Sequence, residues 1–123
     1  METIEILLAE DDQDIRELIE YDILKIFGKE NCKVDLASNG SQAIGLLNQN
    51  KYDVILSDYH LPDFSGAQVR KSLKTETPFI YISGDISIIG DCDNKSIFAL
   101  EKPFKTEDLQ EILKRTVQTT KIQ

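Results

Sequence analysis

The sequence Asp-Val-Ile-Leu-Ser-Asp at residues 53–58 decides how the rest of the chain is interpreted. Its consecutive apolar residues indicate a strand that is buried on both faces, as strands of parallel sheets are. The apolar run ends at Asp58, and a loop that contains Pro62 and Gly66 follows. We therefore predict a strand over residues 53–57, with Asp58 at its carboxyl end.

Further apolar runs occur on both sides of this segment, separated by stretches with helical spacing. We predict the other strands over residues 4–9, 33–37, 79–82 and 96–101. Two helices have clear apolar stripes: Ile15, Leu18, Ile19, Ile23, Ile26 and Phe27 in the first, and Leu109, Ile112, Leu113 and Val117 in the last, which Thr106 is expected to cap. Short helices are predicted around residues 43–47 and 67–73. For residues 84–95 we expect only a short or irregular helix, with a turn at 90–94.

Strands that alternate with helices indicate parallel pairing through right-handed crossovers, and hence a sheet covered on both faces. Ligands of such sheets bind outside the carboxyl ends of the strands. The residues that directly follow the predicted strands are Glu10, Asp11, Asp58, Ser83 and Lys102. The sequence therefore predicts three carboxylates, a hydroxyl and an amine at one edge of the sheet.

This set of side chains suits metal-assisted phosphoryl transfer. Clustered carboxylates repel one another unless a cation intervenes, and Mg²⁺ binds a few carboxylate oxygens while it keeps several waters. Asp58 would be the nucleophile that forms an acyl phosphate. Lys102 would pair with the added charge, and the Ser83 hydroxyl would donate to a phosphoryl oxygen. Ordinary roles stay open for single residues, because acids also favour helix N-termini and most lysines are simply solvated.

At these positions the sequence resembles the response-regulator receiver domain of two-component signalling systems. The matching motifs are, in chain order, Glu10-Asp11, then Asp58 with Leu61-Pro62 and Gly66, then Ser83-Gly84, and finally Lys102-Pro103-Phe104. The resemblance extends from residue 4 to about residue 117. We expect one receiver domain over residues 1–123, with its core at about residues 4–117.

The resemblance implies a doubly wound, flavodoxin-like α/β fold with five parallel strands in the order 2-1-3-4-5 and helices on both faces. It also implies Mg²⁺ bound by Asp11, Asp58 and the backbone carbonyl of His60, with Glu10 acting mainly through water. The phosphoryl donor would be a phosphohistidine on a sensor histidine kinase or a histidine phosphotransfer protein. The domain would catalyse only its own phosphorylation and dephosphorylation.

The resemblance further implies a switch. Phosphorylated Asp58 would draw Ser83 inward and shift the fourth helix and fifth strand between two states, which changes the surface offered to a downstream target or to a second copy in a dimer. The peptide bond before Pro103 is expected to be cis.

Two features depart from the family pattern. Receivers carry an aromatic residue three positions before the lysine, where this chain has Ala99. Phe98 lies one place away, and a shift of one residue along a strand turns a side chain to the other face, so we predict that Phe98 only packs. The segments 66–78 and 84–98 are also short for the third and fourth helices.

Composition limits the remaining functions. The formal net charge of −8 argues against a nucleic-acid surface, which needs clustered Lys and Arg. Cys32 and Cys92 form no CxxC pair, and no signal peptide or membrane-spanning run is visible, so we expect a cytoplasmic protein without a membrane partner.

Three other functions fit the sequence less well. A phosphohydrolase with an aspartyl-phosphate intermediate would want a second acid two positions after the nucleophile, a place that His60 occupies. An interaction module that works without phosphorylation would not need the acidic residues and the lysine at the sheet edge, so the presence of Glu10, Asp11, Asp58 and Lys102 argues against it. A flavodoxin-like cofactor carrier would want a Ser/Thr/Gly-rich phosphate loop after the first strand, where this chain has acids.

Overall fold

The computed structural model describes residues 3–89 and 96–121, and for residues 118–121 the backbone alone. The strands are β1 (Ile4–Ala9), β2 (Cys32–Ala37), β3 (Val54–Asp58), β4 (Phe79–Ser83) and β5 (Ile97–Glu101). The α-helices are α1 (Gln13–Phe27), α2 (Gly40–Gln49), α3 (Gly66–Lys71) and α4 (Thr106–Lys121), and a short 3₁₀ helix (Ile86–Ile88) lies between β4 and β5.

All five strands pair in parallel, in the order β2-β1-β3-β4-β5. Ala9, the last residue of β1, lies beside Ser57, and Asp58 at the end of β3 lies beside Ile82 of β4. Ser83 in turn lies beside Glu101, the residue before Lys102. The register therefore brings the ends of four strands to the same edge, and the predicted sheet order is confirmed.

Each face of the sheet packs against its own helices, because strand side chains alternate between the faces. One face packs against α1 and α4, and the buried residues there include Ile6, Leu8, Ile19, Ile23, Leu109 and Leu113. The other face packs against α2 and α3, and the buried residues there include Leu7, Ala9, Ala43, Val69, Phe79 and Tyr81. The chain is therefore doubly wound, as predicted.

Side-chain caps set where the first three helices begin. Asp12 accepts from the Ile15 amide at the start of α1, and Asn39 accepts from the Gln42 amide at the start of α2. Ser65 forms a reciprocal capping box with Gln68 at the start of α3. Oxygens at these positions satisfy amides that have no partner within the helix.

Two details of the predicted helices are wrong. Leu18 is 62% exposed, because α1 meets the sheet through the stripe of Ile19 and Ile23 and turns Leu18 toward solvent. Thr106 lies inside α4 instead of capping it, and its hydroxyl donates to Asp22 of α1 at 3.2 Å. The Lys105 carbonyl accepts from the Asp108 and Leu109 amides, so the helix begins from the preceding residue.

The segment after β4 has the short helix that was expected. It forms one 3₁₀ turn, Ile86–Ile88, and the Asp85 carboxylate caps it by accepting from the Ser87 amide. The turn expected at residues 90–94 lies outside the described residues, as does Cys92. Cys32 is buried and forms no disulfide among the described residues. In the described ranges no helix combines the length and the apolar character that a bilayer crossing requires, and the cytoplasmic location stays a prediction.

Phe98 and Ala99 lie on opposite faces of β5. Phe98 packs with the side of the sheet that holds α1 and α4, where the guanidinium of Arg115 lies 5.7 Å from its ring centre. Ala99 lies on the other side and pairs in register with Tyr81 of β4. The packing role predicted for Phe98 is confirmed.

Candidate functional site

Lys102 joins two acids that come from different strands. Its Nζ donates to Oδ2 of Asp58 and to Oε1 of Glu10, both at 3.1 Å. Glu10 follows β1, Asp58 ends β3 and Lys102 follows β5, so the contact spans three strands of the sheet. Both acids are almost fully buried, while a quarter of the Lys102 side chain is exposed. Of the five residues expected at this edge, Lys102 is therefore in direct contact with two, Glu10 and Asp58.

Asp11 adds a third carboxylate. One oxygen from each of Glu10, Asp11 and Asp58 lies within 4.8 Å of the other two. Asp11 is exposed, whereas its two neighbours are buried, so the cluster opens to water on the Asp11 side. Lys102 is the one cation hydrogen-bonded to these carboxylates in the part of the chain that the structure describes. Hard oxygen ligands with access to water fit Mg²⁺, so the donor set suits the expected metal.

The surroundings shift the pKa values of Glu10 and Lys102. Burial raises the pKa of Glu10 above its ordinary value, although the Asp12 amide and Lys102 offset part of that rise. Burial alone would lower the pKa of Lys102, but the bonds to Asp58 and Glu10 outweigh it and raise the pKa. The amine therefore stays charged, and burial of the acids is tolerable only with a cation nearby.

Ser83 lies at the end of β4, one residue past the register partner of Asp58. Its side chain is buried, and its hydroxyl donates to the Asp85 carbonyl at 3.2 Å while it accepts from the Asp85 amide at 3.1 Å. Its own carbonyl accepts from the Lys102 amide at 2.7 Å. The hydroxyl is thus engaged with the main chain next to the carboxylate cluster.

His60 touches the site through its backbone. Its amide donates to Oδ1 of Asp58 at 3.2 Å, and its side chain is exposed with the ring in edge contact with Tyr59. An isolated antiparallel bridge joins His60 to Ser65, so residues 59–65 form a tight loop next to the carboxylate. Both Asp58 oxygens therefore have a donor, Lys102 on one side and the His60 amide on the other.

Gly66 closes this loop where a side chain would not fit. A Cβ on Gly66 would lie 2.8 Å from the Asp58 carbonyl oxygen and 3.2 Å from Cδ1 of Tyr81. The Gly66 amide donates to the Tyr59 carbonyl at 2.8 Å. The glycine of the loop motif is thus explained by the close approach of α3 to the end of β3. The peptide bond between Lys102 and Pro103 is cis, as expected.

Sequence reasoning missed two residues that hold this region. Arg16 of α1 donates from Nη1 to the Glu10 carbonyl at 2.8 Å, which ties the helix to the first acidic residue. Asp63 accepts from the amides of Gly40 and Ser41 at the start of α2. Arg16 lies six residues from its partner, and Asp63 lies more than twenty residues from its partners. Of the two, only Arg16 could have been suspected, because it is the one basic residue near the acidic start of α1.

The model of the response regulator receiver domain matches residues 6–114, so this chain belongs to the response regulator receiver domain family. The family assignment and the flavodoxin-like fold predicted from the sequence are confirmed.

Two proteins with similar sequences are a transcription factor and a transcriptional regulatory protein. The transcription factor SKN7 of Candida albicans is 33% identical over 116 residues, which cover 89% of this chain and 20% of SKN7. The transcriptional regulatory protein SrrA of Staphylococcus aureus is 29% identical over 125 residues, which cover 94% of this chain and 50% of SrrA. This chain therefore spans between a fifth and a half of the length of these relatives.

A solved receiver domain is similar in structure. The receiver domain of the sensor histidine kinase PA1611 from Pseudomonas aeruginosa superimposes with a TM-score of 0.77 and 29% identity, covering 94% of this chain and 98% of that domain. That structure has a magnesium ion coordinated in its active-site cleft.

Proposed function

We propose that this receiver domain accepts a phosphoryl group on Asp58 in a Mg²⁺-dependent reaction. The observation that carries the proposal is the contact of Lys102 with both Asp58 and Glu10, within a cluster that also holds Asp11. A carboxylate with one oxygen on an ammonium and the other on a main-chain amide is held in a fixed orientation, as a nucleophile must be.

Mg²⁺ would be held by Asp11, Asp58 and the backbone carbonyl of His60, with Glu10 acting mainly through water. When bound, it would offset the negative charge that develops on the phosphoryl oxygens. An Asp58 oxygen attacks the phosphorus atom of a phosphohistidine. The P–N bond breaks and the imidazole leaves. Lys102 then pairs with the charge of the acyl phosphate, which it can do without moving far because it already contacts Asp58.

The donor in this proposal is a sensor histidine kinase or a histidine phosphotransfer protein. The response would begin at Ser83, whose hydroxyl would exchange the Asp85 main chain for a phosphoryl oxygen. Ser83 leads directly into the 3₁₀ helix and lies beside β5, so this exchange would change the surface there. A downstream target, or a second copy in a dimer, would recognise that surface. Nucleic acid is not a partner in this proposal.

The proposal treats the chain as one cytoplasmic receiver unit over residues 1–123 that turns over no external substrate. The rival function, a phosphohydrolase, needs an acid two residues after the nucleophile. His60 stands there, and it contacts Asp58 through its amide rather than through its exposed ring. An assay with small phosphomonoesters separates the two functions, because sustained release of phosphate would favour the hydrolase.

The direct test is incubation with acetyl phosphate and Mg²⁺, followed by intact mass. Wild type should gain the mass of one phosphoryl group, and Asp58→Asn should gain none. Asp14→Asn is the matched control, because Asp14 is an exposed acid in the first turn of α1. Labelling of Asp58→Asn, labelling that persists in excess EDTA, or no labelling of wild type would each contradict the proposal.

A further inference from the structure

Asp63 lies in the loop between β3 and α3 and holds the start of a different helix. Its Oδ1 accepts from the Gly40 amide at 2.7 Å, and its Oδ2 accepts from the Ser41 amide at 3.0 Å. Oδ1 also accepts from the Phe64 amide at 2.8 Å. Burial would raise the pKa of Asp63, but these backbone hydrogen bonds outweigh it and lower the pKa. The carboxylate is thus a charged bridge between the loop and α2.

The helix does not depend on Asp63 for its cap. Asn39 is the N-cap of α2 and accepts from the Gln42 amide at 2.8 Å. Asp63 satisfies two different amides, those of the first two helical residues, and α2 has no acid of its own in the first turn. A carboxylate at this end of a helix is also favoured by the helix dipole. The bridge therefore adds an attachment between two segments that are more than twenty residues apart in sequence.

The loop and the helix fit closely where the bridge forms. A Cβ on Gly40 would lie 2.7 Å from Cβ of Phe64 and 3.1 Å from Oδ1 of Asp63. A side chain at Gly40 would push Phe64 away and lengthen the hydrogen bond to Asp63. The glycine thus lets the loop backbone approach the helix to hydrogen-bonding distance.

The loop that Asp63 fixes is the one that borders Asp58. Residues 59–65 run from the end of β3 to the cap of α3, with His60 and Ser65 joined by the antiparallel bridge. The His60 amide donates to Asp58 Oδ1 at 3.2 Å. The two ends of the loop are therefore held by β3 and α3, and Asp63 holds its middle part against α2.

We propose that Asp63 is a positioning residue. It fixes the backbone of the loop at residues 59–65 by attaching it to the N-terminus of α2. It acts through the His60 main chain and has no contact with the phosphoryl group. The inference rests on the proposed function of Asp58, because a fixed His60 backbone matters to the reaction only if Asp58 is the acceptor. A group that is held in place before the reaction reduces the reorganisation that the reaction needs.

The test compares Asp63→Ala, Asp63→Glu and the control Glu76→Ala. Glu76 is an exposed acid that makes no hydrogen bond or ion pair with the described residues, so it controls for loss of one surface charge. Hydrogen exchange of the His60 amide is measured by NMR without Mg²⁺ or acetyl phosphate. Mg²⁺ affinity is measured by calorimetry and the labelling rate by intact mass.

Asp63→Ala should speed exchange of the His60 amide by about tenfold, since the loop opens more often. Mg²⁺ affinity and the labelling rate should each fall by about fivefold, because the His60 backbone is no longer held. Asp63→Glu keeps the carboxylate, so its exchange rate, Mg²⁺ affinity and labelling rate should each be close to the wild-type value. Glu76→Ala should match wild type. If Asp63→Ala does not fold, Asp63→Asn replaces it, since the amide keeps one acceptor and loses the second.

Wild-type exchange and labelling in Asp63→Ala, with shifted Gly40 and Ser41 amide signals, would overturn the inference, because the bridge would be broken without consequence. Faster exchange with an unchanged labelling rate would overturn it as well, as would equal changes in Glu76→Ala. Failure of the wild type to be labelled points instead to the proposed function of Asp58. The exchange measurement still decides in that case whether Asp63 holds the loop.

Discussion

The crossovers on the two sides of β3 are built very differently. The two before it pass through α1, with 15 residues, and α2, with 10 residues. The two after it pass through α3, with six residues, and, in the described part of the last crossover, a 3₁₀ helix of three. The strands themselves hardly differ, at five or six residues each.

The difference separates what builds the site from what surrounds it. The acids and the lysine all stand at strand ends, and the strands keep a continuous parallel register from β2 to β5. The short helices after β3 therefore leave the carboxylate cluster and Lys102 in contact. They form the surface next to β4 and β5, which is where the proposed switch at Ser83 would act.

The largest expected difference between the crossovers before and after β3 is in their contribution to the free energy of unfolding. Ile19 of α1 is 1% exposed, whereas Ile88 of the 3₁₀ helix is 41% exposed. Ile19→Ala should lower the free energy of unfolding by about 2–4 kcal/mol, because it leaves a cavity in the core. Ile88→Ala should lower it by less than about 0.5 kcal/mol, as most exposed substitutions do. Urea denaturation measures both, and equal losses would show that the two crossovers contribute alike.

The next test asks whether the two sides cooperate in the chemistry. Lys102 directly follows β5, and of its partners Glu10 follows β1 and Asp58 ends β3. Lys102→Met keeps the apolar stem and removes the charge, so labelling by acetyl phosphate should slow by about a hundredfold. Lys105→Met is the matched control, an exposed lysine three residues later, and should label at the wild-type rate. If Lys102→Met is labelled at the wild-type rate, the carboxylates accept the phosphoryl group without a contribution from the part of the chain after β3.

The smallest expected effect concerns pH. Burial raises the pKa of Glu10, so its contribution to stability is fully present below the ordinary glutamate pKa and is lost as the pH rises through the raised value. Gln cannot ionise, and Lys102 keeps Asp58 as a partner. In metal-free buffer Glu10→Gln should therefore melt a few degrees above wild type at neutral pH, with a smaller gain at acidic pH. Calorimetry over a pH series measures this, and a gain that shrinks toward neutral pH would contradict it.

The strands and the site edge could be predicted because both follow from short-range sequence features. Apolar runs define buried strands, and the residues just past them must meet once the strands are parallel. Leu18 was placed wrongly because a helical stripe shows which residues share a face but not how wide the buried face is. Thr106 was placed wrongly by one residue, since the Lys105 carbonyl starts α4 and the hydroxyl finds Asp22 instead.

Asp63 could not be predicted, and Arg16 could at most be suspected, because their partners are main-chain atoms. Asp63 binds amides at Gly40 and Ser41, and Arg16 binds the carbonyl of Glu10. Main-chain groups are the same at every residue, so the sequence carries no mark of which one a side chain will reach. Such contacts depend on how loops lie across one another, which only the folded backbone determines.

The ion pairs of Lys102 also bear on how the protein is made. The lysine lies 92 residues after Glu10 and 44 after Asp58. A ribosome releases the chain from its N-terminus, so both acids emerge long before their ammonium partner. Until β5 is translated, the edge of the growing sheet holds carboxylates that must stay hydrated, and Lys102 then brings the charge that allows them to be buried.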